Sequence, residues 1–146
     1  LEGISMGCAT VLMTLGFDLP ANLKAVVADC GYTSPYEIMW KVAKKDLHVP
    51  LVRLVLGAGN LMAHVLADFD FNEYDTFTAL RYNTRPVLFV HGTEDPFVPV
   101  EMSLANFQSC QSEKELFLVE KCPHAIAYFI DEEGYHKKVV DFCKLK

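Results

Sequence analysis

Pro86-Val87-Leu88-Phe89-Val90-His91-Gly92-Thr93-Glu94-Asp95 decides the architecture. From Pro86 to Val90 the run is short and wholly apolar, without polar alternation. That pattern is a strand buried on both faces, the kind found in parallel sheets. His91 to Asp95 then reads as a loop at the strand's C-terminal end. Working outward, Leu23–Ala28 is a second buried strand, ended by Asp29-Cys30-Gly31, and Glu115–Val119 a third. The segments between them read as helices. One follows Ser5 and closes near Gly16, with the small residues Gly7, Cys8 and Ala9 packing it closely on a sheet. Ser34-Pro35, with Glu37 behind, starts another by capping signals. Val49–Phe69 reads as two helical pieces broken near Gly57-Ala58-Gly59-Asn60. Asp75–Leu80 reads as one more turn, and Pro99–Ser109 as a helix. An amphipathic helix from Asp131 to Leu145 presents Tyr135, Val139, Phe142 and Cys143 on one face. Strand alternating with helix predicts an α/β fold with three parallel strands and helices on both faces.

In such sheets, functional groups gather beyond the C-terminal strand ends. Asp29, Asp95 and His124 all fall there. Ser5 joins them in Gly3-Ile4-Ser5-Met6-Gly7, the G-x-S-x-G pattern that presents a serine on a sharp strand-to-helix turn. A serine hydroxyl needs a base to take its proton, histidine is the usual base, and a carboxylate orients the imidazole. Ser5, Asp95 and His124 supply these roles. Asp29 and Glu94 are rival acids, and His48, His64, His91 and His136 are rival bases; His91 reads better as support for its turn. A strand must precede a turn of this kind. Only Leu1 and Glu2 stand before the pentapeptide, so that strand is expected to be absent.

Three stretches carry a resemblance: Gly3–Gly7, Pro86–Pro99, and Cys122-Pro123-His124-Ala125. Together they resemble the C-terminal half of an α/β-hydrolase, most similar to bacterial intracellular serine hydrolases of uncertain substrate. The resemblance implies that Ser5 is the nucleophile, Asp95 the acid and His124 the base, with the Met6 backbone N–H as one oxyanion donor. It implies that the N-terminal half of the sheet and the second donor are missing. The inner edge of Leu23–Ala28 would then be unpaired, and the chain alone would be inactive or poorly folded. Residues 1–146 are expected to form a single domain, with residues 34–80 a helical, lid-like insertion. The implied reaction is hydrolysis of a small-molecule ester, thioester or amide through an acyl-enzyme. An acyltransferase using the same residues, or a non-catalytic hydrolase-like binding domain, are the alternatives. The apolar run Val49–Leu66 leans toward a lipophilic acyl group.

Bulk properties fit this reading. The chain has 146 residues, is 51% hydrophobic and 22% charged, and has room for a sizeable core. Its net charge of −6 argues against nucleic acid and anionic membrane as partners. Five cysteines at irregular spacing, with no C-x-x-C, predict no disulfide framework and no metal site, and point to a reducing, cytoplasmic location. No cofactor fingerprint is present, and no signal peptide or membrane span is visible.

Overall fold

In the computed structural model, which describes residues 1–144, four parallel strands form one sheet in chain order. They are β1 (Glu2–Ile4), β2 (Val26–Asp29), β3 (Val87–Gly92) and β4 (Lys114–Val119). The sequence predicts three. The fourth is the strand judged absent: Glu2, Gly3 and Ile4 pair with Val27, Ala28 and Asp29. Three residues are too few to display a side-chain period, and backbone pairing alone makes them a strand. The inner edge of β2 is therefore covered, and the open edge passes to β1.

The helices are α1 (Met6–Thr14), α2 (Pro35–Lys41), α3 (Val52–Ala67), α4 (Thr76–Tyr82), α5 (Val100–Ser109), α6 (Ala127–Ile130) and α7 (Glu132–Lys144). Alternation along the strands sorts the core into two faces. Val26, Ala28, Val87 and Phe89 point toward Leu12 and Leu15 on the chain after Ser5, Leu80 of α4 and Phe107 of α5. Val27, Leu88 and Val90 point the other way, toward Ala127, Tyr135 and Phe142. Leu12, Leu80, Leu88 and Phe89 are essentially sealed from solvent. Burial of each side chain of this kind contributes roughly 1.5–3 kcal/mol.

Local signals explain most element starts. Ser34 Oγ accepts from Glu37 N at 3.1 Å with Pro35 at the first helical position, and Asp75 caps α4 through Thr78 N at 2.7 Å. Three expectations need correction. Gly7 is exposed and has open space around it; Cys8, Ala9, Val11 and Leu12 form the packed face of α1. Val52–Ala67 is one helix, unbroken at Gly57–Asn60. Each glycine weakens a helix by only about 1 kcal/mol. Against that, Val52 and Leu56 anchor this one on Ala43, and Asn60 Oδ1 accepts from Phe71 N at 2.7 Å. On α7, Tyr135 and Phe142 are buried and Cys143 is exposed. At 3.6 residues per turn Cys143 stands about 80° around from Tyr135, off the buried stripe. Leu145, the expected end of α7, lies outside the described residues.

After α2 the chain makes a π-helical turn, Val42–Asp46, marked by Leu47 N bonding Val42 O at 2.9 Å. Among the described residues, no helix is long and apolar enough to cross a membrane.

Candidate active site

Ser5 sits between β1 and α1 with φ 56° and ψ −117°, a conformation L-residues avoid. Two bonds hold it there: Ser5 N donates to Asp29 O at 2.9 Å, and Ser5 O accepts from Ala9 N at 3.1 Å. The turn is tight enough that a Cβ on Gly3 would collide with the Gly7 carbonyl, so glycine is required at position 3. Strain fixed by its surroundings is a feature of functional sites. Met6 opens α1, so its N–H belongs to the first-turn donors that have no partner within the helix.

The side chains of Ser5, His124 and Asp95 come together in line. Ser5 Oγ lies 2.8 Å from His124 Nε2, and His124 Nδ1 lies 2.6 Å from Asp95 Oδ2. A carboxylate only accepts, so Nδ1 carries the proton and Nε2 is left to accept from Ser5. Two loops bring the partners in. The loop after β3 carries Asp95 and the loop after β4 carries His124. They are stitched by Thr93 N to Val119 O (2.9 Å), Glu94 N to Cys122 O (3.2 Å) and Lys121 N to Thr93 Oγ1 (2.9 Å). A side chain on Gly92 would strike the Cys122 carbonyl, so the close approach of these loops also depends on glycine.

Asp95 is fully buried as a side chain. Burial alone would raise its pKa. Hydrogen bonds from His91, His124 and the N–H groups of Val98 (2.9 Å) and Phe97 (2.8 Å) outweigh that and hold it at about 2. The acid is thus kept ionised. His91 Nε2 is shared between Val98 O (2.9 Å) and Asp95 Oδ2 (3.2 Å), both acceptors. His91 Nδ1 therefore accepts from Ser103 Oγ, 2.6 Å away. Support of the turn by His91 is legible in sequence; its direct bond to the acid, and the part of Ser103 on α5, are not. Phe97 was also missed. Its ring meets the His124 ring edge-on, centroids 5.1 Å apart.

The rivals lie elsewhere. Glu94 is exposed, and His48, His64 and His136 stand exposed on or beside helices. Asp29 is buried at the end of β2, where burial raises its pKa to about 6. Its Oδ2 lies 3.2 Å from the Tyr135 hydroxyl, which is also 2.8 Å from Glu2 Oε1, and its Oδ1 has no hydrogen-bond partner. Among the described residues, Cys30, Asp95 and His124 bring potential metal-ligand atoms within 4.8 Å of one another. Burial pushes the Cys30 thiol up to about 12, which disfavours its thiolate form.

A parallel sheet with helices on both faces, a serine on a strained strand-to-helix turn, and an acid and a histidine on later strand-end loops define the α/β-hydrolase class. The chain matches the prolyl oligopeptidase family over residues 1–133 and belongs to it, within the serine hydrolase superfamily. The uncharacterized protein YqkD of Bacillus subtilis (strain 168) is 23% identical over 142 residues, covering 97% of this chain and 46% of that protein. Among solved structures, an esterase of Pyrococcus furiosus superposes with a TM-score of 0.70 at 18% identity, covering 98% of this chain and 51% of that one. An acylaminoacyl peptidase of Pyrococcus horikoshii does so with a TM-score of 0.65 at 16% identity, covering 96% and 23%. The chain thus spans about half the length of YqkD and of the esterase.

Proposed function

We propose that this chain carries the nucleophile, base and acid of a serine hydrolase. Ser5 attacks the carbonyl carbon of an ester, thioester or amide while His124 Nε2 takes its proton. The same proton passes to the leaving group as the tetrahedral intermediate collapses to an acyl-enzyme. Water, activated by His124, then releases the acid and restores Ser5. Asp95, held ionised, keeps the imidazole in the required tautomer and steadies the imidazolium. The Met6 N–H, at the positive end of α1, contributes to binding the oxyanion.

One observation carries this reading: the unbroken hydrogen-bonded line from Ser5 through His124 to Asp95, at 2.8 and 2.6 Å, starting from a strained serine. The exposed apolar side chains of α3 favour a lipophilic acyl group, and five unpaired cysteines favour a reducing, cytoplasmic setting. The test is labelling of the full-length protein by a fluorophosphonate probe beside its Ser5→Ala variant. Strong labelling of the parent and none of the variant is expected; equal labelling of both would sink the assignment. The 146 residues alone are expected to turn over a p-nitrophenyl ester poorly, because one oxyanion donor of two typically carries a factor on the order of 10²–10³ in rate.

A further inference from the structure

Lys41 closes α2, far in sequence from the candidate triad, yet its ammonium group is bound into the acid loop. Its side chain is 9% exposed, and a buried ammonium group needs partners. It has two: Asp46 Oδ2 at 2.8 Å and the backbone carbonyl of Pro96 at 2.6 Å. The Pro96 carbonyl belongs to the same planar peptide group as the Phe97 N–H. That N–H donates to Asp95 Oδ1 at 2.8 Å. One rigid peptide unit is therefore gripped at its oxygen by Lys41 and at its hydrogen by the triad acid. Drawing electron density toward the carbonyl oxygen also makes the N–H a stronger donor, so the two bonds reinforce each other. The Phe97 side chain extends the link. The Lys41 ammonium lies 5.8 Å from its ring centroid, and the ring's other neighbour is His124.

The π-helical turn explains how Lys41 is kept in place. Residues five apart on an α-helix point about 140° away from each other, out of ion-pair reach. A π turn closes i to i+5 and brings such residues onto one side. The turn Val42–Asp46 follows Lys41 directly, and Asp46 is its fifth successor. The irregularity thus supplies the carboxylate that the buried ammonium requires.

We infer that Lys41, fixed by Asp46 across the π turn, is a positioning residue for the acid–base pair, acting through the Pro96–Phe97 peptide. This inference rests on the proposed serine-hydrolase reading. It names a specific coupling between the helices after Ser34 and the catalytic loops: motion of α2 changes the aim of Asp95 and His124.

The experiment compares the full-length protein with Lys41→Met, Lys41→Arg, Asp46→Asn and, as a control on the same stretch, Lys44→Met. Lys44 lies within the π turn, but its ammonium sits over the Trp40 ring and makes none of the bonds of Lys41. Fluorophosphonate labelling rate, and kcat and KM on a p-nitrophenyl ester, are read on samples shown to be folded by circular dichroism. Lys41→Met is expected to lower labelling rate and kcat 10- to 100-fold with KM within twofold. Lys41→Arg, which keeps a donor for both partners, should restore most of the loss. Asp46→Asn should lower kcat several-fold, and Lys44→Met should match the parent. Parent-like kcat in folded Lys41→Met overturns the inference while leaving the serine-hydrolase reading intact. Should Lys41→Met not fold, a parent-like Asp46→Asn overturns it equally. An unlabelled parent protein overturns the functional reading itself, and this inference with it.

Discussion

Asp95 has no exposed side-chain surface and receives hydrogen bonds from two histidines and two backbone N–H groups. Leu61, Met62, Val65 and Leu66 on α3 are between 62% and 77% exposed. The first region is over-determined. Two hydrogen bonds fix each oxygen of the acid, and the strands beneath it, β2 and β3, are buried on both faces. The second region rests on a satellite cluster of only three buried residues, Ala43, Val52 and Leu56, and leaves its apolar surface outward. The difference separates two uses of hydrophobic sequence. In the strands it makes a core; on α3 it makes a surface. Position in the fold, rather than composition, decides which.

The contrast can be broken most forcefully at the acid. Asp95→Asn should lower the fluorophosphonate labelling rate of the full-length protein by about 10⁴-fold, since an amide facing Nδ1 selects the wrong tautomer. Retention of more than a tenth of the parent rate would mean that the buried network does not orient His124. Next in size is the core beneath it. Phe89→Ala, at a fully buried site on β3, should destabilise by about 3–5 kcal/mol in a urea titration. A loss below 1 kcal/mol would show that the sheet is not the rigid platform described.

The buried carboxylates should respond to pH in opposite directions. Asp29 is raised from 3.8 to about 6 in the folded protein, chiefly by burial, against hydrogen bonding from Tyr135 and the neighbouring His91, with Cys30 and Glu2 also facing it. The folded state binds that proton more tightly. Its contribution to stability is therefore full below pH 4 and is lost as pH rises through 6, by roughly 3 kcal/mol. Asp95, lowered to about 2, contributes above pH 4 and loses that contribution as pH falls through 2. Unfolding midpoints from pH 4 to 7 should show Asp29→Asn gaining on the parent as pH rises; parallel curves would refute it. The smallest effect belongs to the exposed face. Leu66→Ser should change stability by no more than about 0.5 kcal/mol. A larger loss would show that α3 is covered, and the contrast would have to be redrawn.

How much of this could be read beforehand follows from how local each signal is. β3 and the meeting of Ser5, Asp95 and His124 rest on contiguous runs and strand-end placement. Ser34 starts its helix by a rule that spans four residues. β1 is not legible in the sequence because a three-residue strand is defined by pairing with Val27–Asp29, a partner more than twenty residues away. Gly57 and Gly59 suggested a break whose small energetic weight was offset by the tertiary anchors Val52, Leu56 and Asn60. The bonds of Ser103 to His91 and of Lys41 to Pro96 join segments 12 and 55 residues apart, and no local pattern announces them.

The Tyr135 hydroxyl touches Glu2 across 133 residues of chain, and Ser5 meets His124 across 119. In chain order Ser5 comes first, then Asp95, then His124. A ribosome-bound chain that has passed β3 already holds Ser5 and Asp95 but has no histidine to join them. Contacts of such long separation form late, after shorter loops have closed. The elbow strand is tied down from the Tyr135 side only when α7 docks. On the proposed reading, Ser5 gains its base only once the segment after β4 has folded onto the elbow.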